Sequence, residues 1–146
     1  MPDANRLAAR VAGAMLAAEG TGPAWGLEIE EARHGYARVA MTVRTDMLNG
    51  HGTAHGGMIF ALADTAFAYA CNARNARSVA AQASIIFLDA VREGERLVAE
   101  AREQALAGRA GVYCVEVRNA EGRVIAHFQG LSRTIGGAIV EPEDEP

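Results

Sequence analysis

Apolar positions recur along this chain in two periods, and the periods mark out its elements. From Asn5 to Glu19 they fall at helical spacing, at Leu7, Val11, Met15 and Leu16. Asp3 can cap that helix, and Gly20, Gly22 and Pro23 stop it. The period then drops to two. Trp25 to Glu31 and Tyr36 to Arg44 read as strands joined by a turn at His34 and Gly35. In the second, Val39, Met41 and Val43 point one way and Arg38, Ala40, Thr42 and Arg44 the other. Asp46 to Gly57 is a glycine-rich loop, and Met58 to Asn72 reads as a helix that is apolar nearly all round. Strands follow at Val79 to Leu88, Arg96 to Gln104, Val112 to Val117 and Val124 to Arg133. Turn residues separate them at Arg92-Glu93-Gly94, Ala107-Gly108 and Asn119-Ala120-Glu121-Gly122.

Connections this short favour an antiparallel sheet. A helix apolar on every face must be covered on every face. The pattern therefore predicts an α+β architecture: a curved antiparallel sheet of about six strands wrapped around one long apolar helix, plus an N-terminal helix. Ala61, Ala63, Ala66, Ala68 and Ala70 would let the sheet approach closely. Residues 1–146 fit one domain, with 141–146, acidic and proline-flanked, expected to be a disordered tail.

Composition narrows the functions. Half of the residues are apolar, enough for a real core, and the formal net charge is −4. With no basic excess, neither a nucleic acid nor an acidic membrane is an expected partner. The apolar run from Met58 to Cys71 contains an aspartate and is too short to span a bilayer. No basic segment followed by an apolar one opens the chain, so no signal peptide is read. Cys71 and Cys114 lie far apart without zinc spacing and are expected to be two buried free thiols. These features point to the cytoplasm.

Asp64 is the only charged side chain between His55 and Arg74. Burying an ionised carboxylate without a partner costs several kcal/mol. Such a group either pairs with an arginine or a loop, or faces a cavity as a general base or nucleophile. His55, Gly56 and Gly57 lie just before the same helix. The first amides of a helix lack internal acceptors and lie at the positive end of its dipole. Two glycines would let a ligand come close to that backbone. The run can be a simple turn, or an oxyanion site for a carbonyl. Asp64 follows Gly56 by eight residues, roughly 12 Å at helical rise, so both cannot reach one carbonyl from one chain. A two-fold partner with an antiparallel helix would bring one chain's Asp64 to the other's Gly56, and the site would be shared across a dimer.

Other chemistry is weaker. His51 and His55 have a spacing used by zinc proteases, yet glycines surround them and no glutamate base lies between. No nucleotide-binding glycine loop and no Gly-x-Ser-x-Gly elbow is present. Arg74, Arg77, Arg109 and Arg133 fit a solvated surface. Arg109 and Arg133, at strand ends near turns, are the candidates for holding phosphate groups of a ligand.

The run from Met47 to Asn72 is very similar to the hotdog thioesterases of bacterial phenylacetic acid degradation. The likeness is carried by Asn49, His55-Gly56-Gly57, Leu62-Ala63-Asp64, Phe67-Ala68 and Asn72. It continues at Phe87-Leu88, Gly111-Val112-Tyr113 and Ser132-Arg133-Thr134-Ile135-Gly136-Gly137. The resemblance implies that Asp64 activates water or attacks the thioester carbonyl itself, and that the Gly56 amide polarises the thioester oxygen. It implies that Asn49 and His55 position the thioester or its loop, with Gly57 and Thr134 among the substrate-binding residues. It further implies hydrolysis of phenylacetyl-CoA and ring-hydroxylated relatives, a homotetramer of two hotdog dimers, and no metal or organic cofactor. One departure stands out: some related enzymes carry a water-holding serine or threonine early in the strand after the helix. This chain has Ala80, Ala81, Gln82 and Ala83 there, with Ser84 close by.

Two other readings compete. A hotdog enoyl-CoA hydratase would use an aspartate and a histidine five positions apart, as Asp46 and His51 are, and would leave Asp64 without a purpose. A non-catalytic acyl-CoA-binding module would keep the pocket but need no carboxylate in it.

Overall fold

The structure is a computed structural model that describes residues 2–143. Helix α1 (Pro2–Ala18) buries Ala8, Val11 and Ala12. The glycines and proline after it do not give a plain loop: a short helix α2 (Thr21–Trp25) forms and ends at Gly26, whose φ of 63° a glycine adopts freely. Strands β1 (Glu28–Arg33) and β2 (Tyr36–Thr42) make the first hairpin. Helix α3 (Gly56–Cys71) is followed by β3 (Ser78–Phe87), β4 (Arg96–Ala107), β5 (Ala110–Arg118) and β6 (Val124–Thr134). Residues 144–146, the end of the expected disordered tail, lie outside the described residues. Before them, the Glu141 carbonyl accepts from Arg10, and Glu143 pairs with Arg6 and Arg10.

The strands form one antiparallel sheet in the order β1-β2-β4-β5-β6-β3. The chain crosses from β2 through α3 to the far edge, so β3 pairs with β6 and β4 inserts beside β2. Helix α3 lies on one face, where Leu62, Ala63, Ala66, Phe67 and Ala70 meet Val39, Met41, Ala99, Val115 and Phe128. Alanines at 63, 66 and 70 are fully buried, as close helix–sheet approach requires. At Gly130 the approach is tight: a β-carbon there would lie 2.7 Å from the buried Phe67 ring.

The expectation of a curved sheet wrapped around the helix is overturned. The sheet is open, with β1 and β3 as separate edges, and it covers one side of α3. Phe60, Ala61, Asp64, Thr65 and Ala68 are only half-buried, and they fall at i, i+1, i+4, i+5 and i+8, one stripe of the helix. Hydrophobicity all round a helix demands cover but does not say that its own chain supplies it. The thiols also differ from expectation: Cys71 is buried, but Cys114 is exposed on the face of β5 turned away from α3.

Candidate active site

Asp64 sits on the half-exposed stripe of α3. Burial alone pushes its carboxyl above the usual carboxylate range. Among the described residues no arginine pairs with it and no donor reaches it, so the structural roles of an ion pair or a loop cap do not apply. Its oxygens are not sealed in, because among the described residues no buried side-chain oxygen or nitrogen lacks a partner. A carboxylate that is desolvated, unpaired and still reachable is the state a base or nucleophile requires. Its neighbour Thr65 is committed to its own helix, its hydroxyl donating to the Ala61 carbonyl at 2.7 Å.

The start of α3 is organised by His55, the residue preceding the first helical turn. Its extended backbone (φ −62°, ψ 134°) lets Nδ1 accept from the Gly57 amide at 2.8 Å. Its carbonyl takes the amides of Met58 and Ile59 at 2.9 and 3.3 Å. These bonds leave the Gly56 N–H as the amide of the first turn that has no acceptor among the described residues. Because Nδ1 accepts, the neutral imidazole carries its proton on Nε2, which stays available as a donor. Gly57, by contrast, has its amide committed.

The two glycines do not hold space open at their α-carbons. A β-carbon on Gly56 would lie 3.0 Å from Phe87 Cζ, and one on Gly57 would lie 3.0 Å from His55 Nδ1. The molecule's own rings fill both positions, so ligand access is to the Gly56 amide and not to its α-carbon. That amide opens on a groove of about 420 Å³ lined by Asn49, Ile59, Phe87, Leu88 and Ala90.

Asn49 holds the loop before the helix. Its Oδ1 accepts from the amides of His51 and Thr53, at 2.9 and 3.2 Å, and its Nδ2 donates to the Thr53 hydroxyl at 3.0 Å. Asp46 is exposed and held by Arg44 at 3.0 and 3.1 Å, which lowers its pKa. No hydrogen bond joins it to His51 among the described residues, so nothing favours the hydratase pair. Arg109 and Arg133 are brought together: both line one groove with Ala81, and the Thr134 amide donates to the Arg109 carbonyl at 2.8 Å. Neither arginine side chain is in an ion pair among the described residues. The Thr134 hydroxyl meets that of Ser78 at 3.0 Å.

Ser84 lies on the wrong side to hold water near Asp64. A register shift between Ala80 and Gln82 inserts one residue into β3. Ser84 therefore pairs with Gln129 and faces a cavity of about 310 Å³ on the outer face, beside Cys114 and His127. The helix side of β3 carries Ala80, Ala83, Ile85 and Phe87, paired with Ser132, Gly130, Phe128 and Ala126. The sequence brings in Phe87 only through the likeness at Phe87-Leu88 and gives it no place in the site.

An open antiparallel sheet laid on one long apolar helix is the architecture of the hotdog class. The thioesterase superfamily model matches residues 51–126, and the chain belongs to that superfamily, in its phenylacetate-degradation branch of acyl-CoA thioesterases. The chain is 42% identical to the acyl-coenzyme A thioesterase PaaI of Escherichia coli (strain K12) over 126 residues, covering 86% of this chain and 90% of that protein. The structure of the E. coli PaaI protein from the phenylacetic acid degradation operon aligns with a TM-score of 0.90 at 40% identity, over 92% of this chain and 97% of that one. A hypothetical thioesterase protein from Streptococcus pneumoniae TIGR4, solved with coenzyme A, aligns with a TM-score of 0.74 at 28% identity, over 77% and 90% of the two chains.

Proposed function

We propose that this protein hydrolyses phenylacetyl-CoA and ring-hydroxylated phenylacetyl-CoA thioesters, with Asp64 as the reacting carboxylate and the Gly56 amide as the oxyanion donor. The observation that carries the reading is the desolvated, unpaired Asp64 on the open stripe of a helix whose first amide is free. The thioester oxygen accepts from Gly56 N–H, and the carbonyl carbon becomes electrophilic. Asp64 then either takes a proton from an attacking water or forms the new C–O bond itself. In both routes the C–S bond breaks and coenzyme A leaves as its thiolate. In the second, a mixed anhydride is hydrolysed by water. Asn49 and His55 shape the loop and helix start that present the amide. Arg109 and Arg133, with Thr134 beside them, hold the coenzyme A phosphates. No metal or organic cofactor is required by this chemistry.

The site is completed by a second copy. Edge strand β3 carries no charged residue along its ten positions and exposes Val79 and Ile86, features that natural edges avoid unless they are covered. Two-fold pairing of β3 edges would cover the open stripe of α3 and bring each Asp64 to the partner subunit's helix start. Two such dimers make the proposed homotetramer, working in the cytoplasm on acyl-CoA alone, without a nucleic-acid or membrane partner. No helix of the described residues is long and apolar enough to cross a membrane.

The test is Asp64→Asn. Turnover of phenylacetyl-CoA should fall by about 10²–10⁴-fold, the usual loss for a general base, while the oligomer persists. Near-wild-type turnover in a folded variant would remove the assignment.

A further inference from the structure

We infer that Phe87 selects the acyl group: its ring forms an aromatic wall beside the Gly56 amide, against which an aryl-acyl moiety packs. The inference rests on the thioesterase reading above and deepens it. Phe87 ends β3, and the register shift between Ala80 and Gln82 turns it towards α3, paired with Ala126. Its Cζ and both Cε atoms lie 3.0–3.4 Å from where a Gly56 β-carbon would be, so the ring is held against the helix start. Even so, it remains 50% exposed, and the following Leu88 is 58% exposed. A large ring held against the helix start on one edge and open on the other is placed to receive an apolar ligand.

The groove commits the occupant. A thioester oxygen within hydrogen-bond reach of Gly56 N–H, about 3 Å, puts the acyl α-carbon and its substituent over the same groove. Ala54, Ile59, Phe87, Leu88 and Ala90 give that groove an apolar side, and Asn49 and Asp89 line the rest of it. The apolar side matches a phenyl ring better than the amide-bearing pantetheine arm, because Asn49 is already bonded to His51 and Thr53, and Asp89 to the Ala90 amide and Arg123. Aromatic pairs settle at centroid separations of about 4.5–7 Å, the range a benzyl group one methylene beyond the carbonyl can reach. Gly56 is required for the same reason, since a side chain there would displace the ring.

The test compares phenylacetyl-CoA, hexanoyl-CoA and acetyl-CoA with wild type, Phe87→Leu and Phe87→Ala. Leucine keeps apolar cover over Gly56, so the helix start is preserved. We expect kcat/KM for phenylacetyl-CoA to fall about 10–100-fold in both variants, and in Phe87→Leu to fall at least about ten-fold more than that for acetyl-CoA. Hexanoyl-CoA should be rescued by leucine relative to alanine. An equal loss for all three substrates would mean that the ring only supports Gly56 or contacts pantetheine, and would overturn the inference. Loss of the oligomer in Phe87→Leu, read by light scattering, would make the ring a subunit contact and also overturn it. A wild type inactive on every acyl-CoA would instead remove the thioesterase reading on which the inference stands.

Discussion

If the active site is shared, two dead variants should revive each other. Gly56 and Asp64 are eight residues apart on a continuous helix, about 12 Å at 1.5 Å per residue. Catalysis asks each group to come within about 3 Å of one carbonyl, so an undistorted α3 cannot offer both from one chain. One variant carries Asp64→Ala. The other carries Gly56→Leu, whose side chain would begin 3.0 Å from Phe87 Cζ and disturb the free amide. Each homodimer holds two broken sites. In a heterodimer one site collects both lesions and the other has none. Random reassociation of equal amounts makes about half of the dimers mixed, each with one intact site of two, so about a quarter of wild-type turnover should return. The variants are denatured, mixed and refolded, heterodimers are isolated by two affinity tags, and phenylacetyl-CoA hydrolysis is followed through thiol release; the isolated heterodimers, with one intact site of two, should show about half of wild-type turnover. Proven heterodimers with no activity would refute the shared site: either each chain holds a complete one, or Gly56 does not act.

Three further outcomes follow from particular contacts. Because burial raises the Asp64 pKa in the folded chain above its unfolded value, its ionised form destabilises the fold once pH exceeds the ordinary carboxylate range. Asp64→Asn should therefore raise Tm near neutral pH and lose that advantage in acid. Equal Tm differences at both pH values would contradict the desolvation. Wild-type kcat/KM should likewise rise with pH through an apparent pKa above the usual carboxylate range. Gly130→Ala forces a methyl to within 2.7 Å of the buried Phe67 ring, and should cost about 1–3 kcal/mol by urea denaturation. An unchanged midpoint would show that the ring can move aside. An Arg109→Ala and Arg133→Ala double variant should raise KM for acyl-CoA several-fold and flatten its salt dependence, and an unchanged KM would place the phosphates elsewhere.

Much of this protein is written in its hydrophobic period. Helical spacing in α1, alternation in β2, β5 and β6, and turn residues at Gly94, Gly108 and Gly122, all with positive φ, locate the elements to within a few residues. Local physics suffices there, because side-chain period and backbone conformation belong to the same short segment. Asp64 was legible for the same reason: a single charge in an apolar helix stands out without any knowledge of its neighbours. So was the amide-rich start of α3, since a helix terminus carries its unsatisfied donors wherever it lies.

What tertiary structure alone decided concerns relations between segments. That the sheet stays open and leaves one stripe of α3 uncovered depends on strand order, which local pattern does not specify. The one-residue bulge in β3 is the sharpest case. Counting by twos from Ala80 puts Ser84 on the helix side and Phe87 on the outer side. The bulge reverses both, since a one-residue slip turns over every side chain beyond it. It removes the hydroxyl that could have stood near Asp64 and seats Phe87 on Gly56 instead. Pairing with β6 across some fifty residues of chain fixes that register, and no window of sequence around β3 contains the partner that sets it.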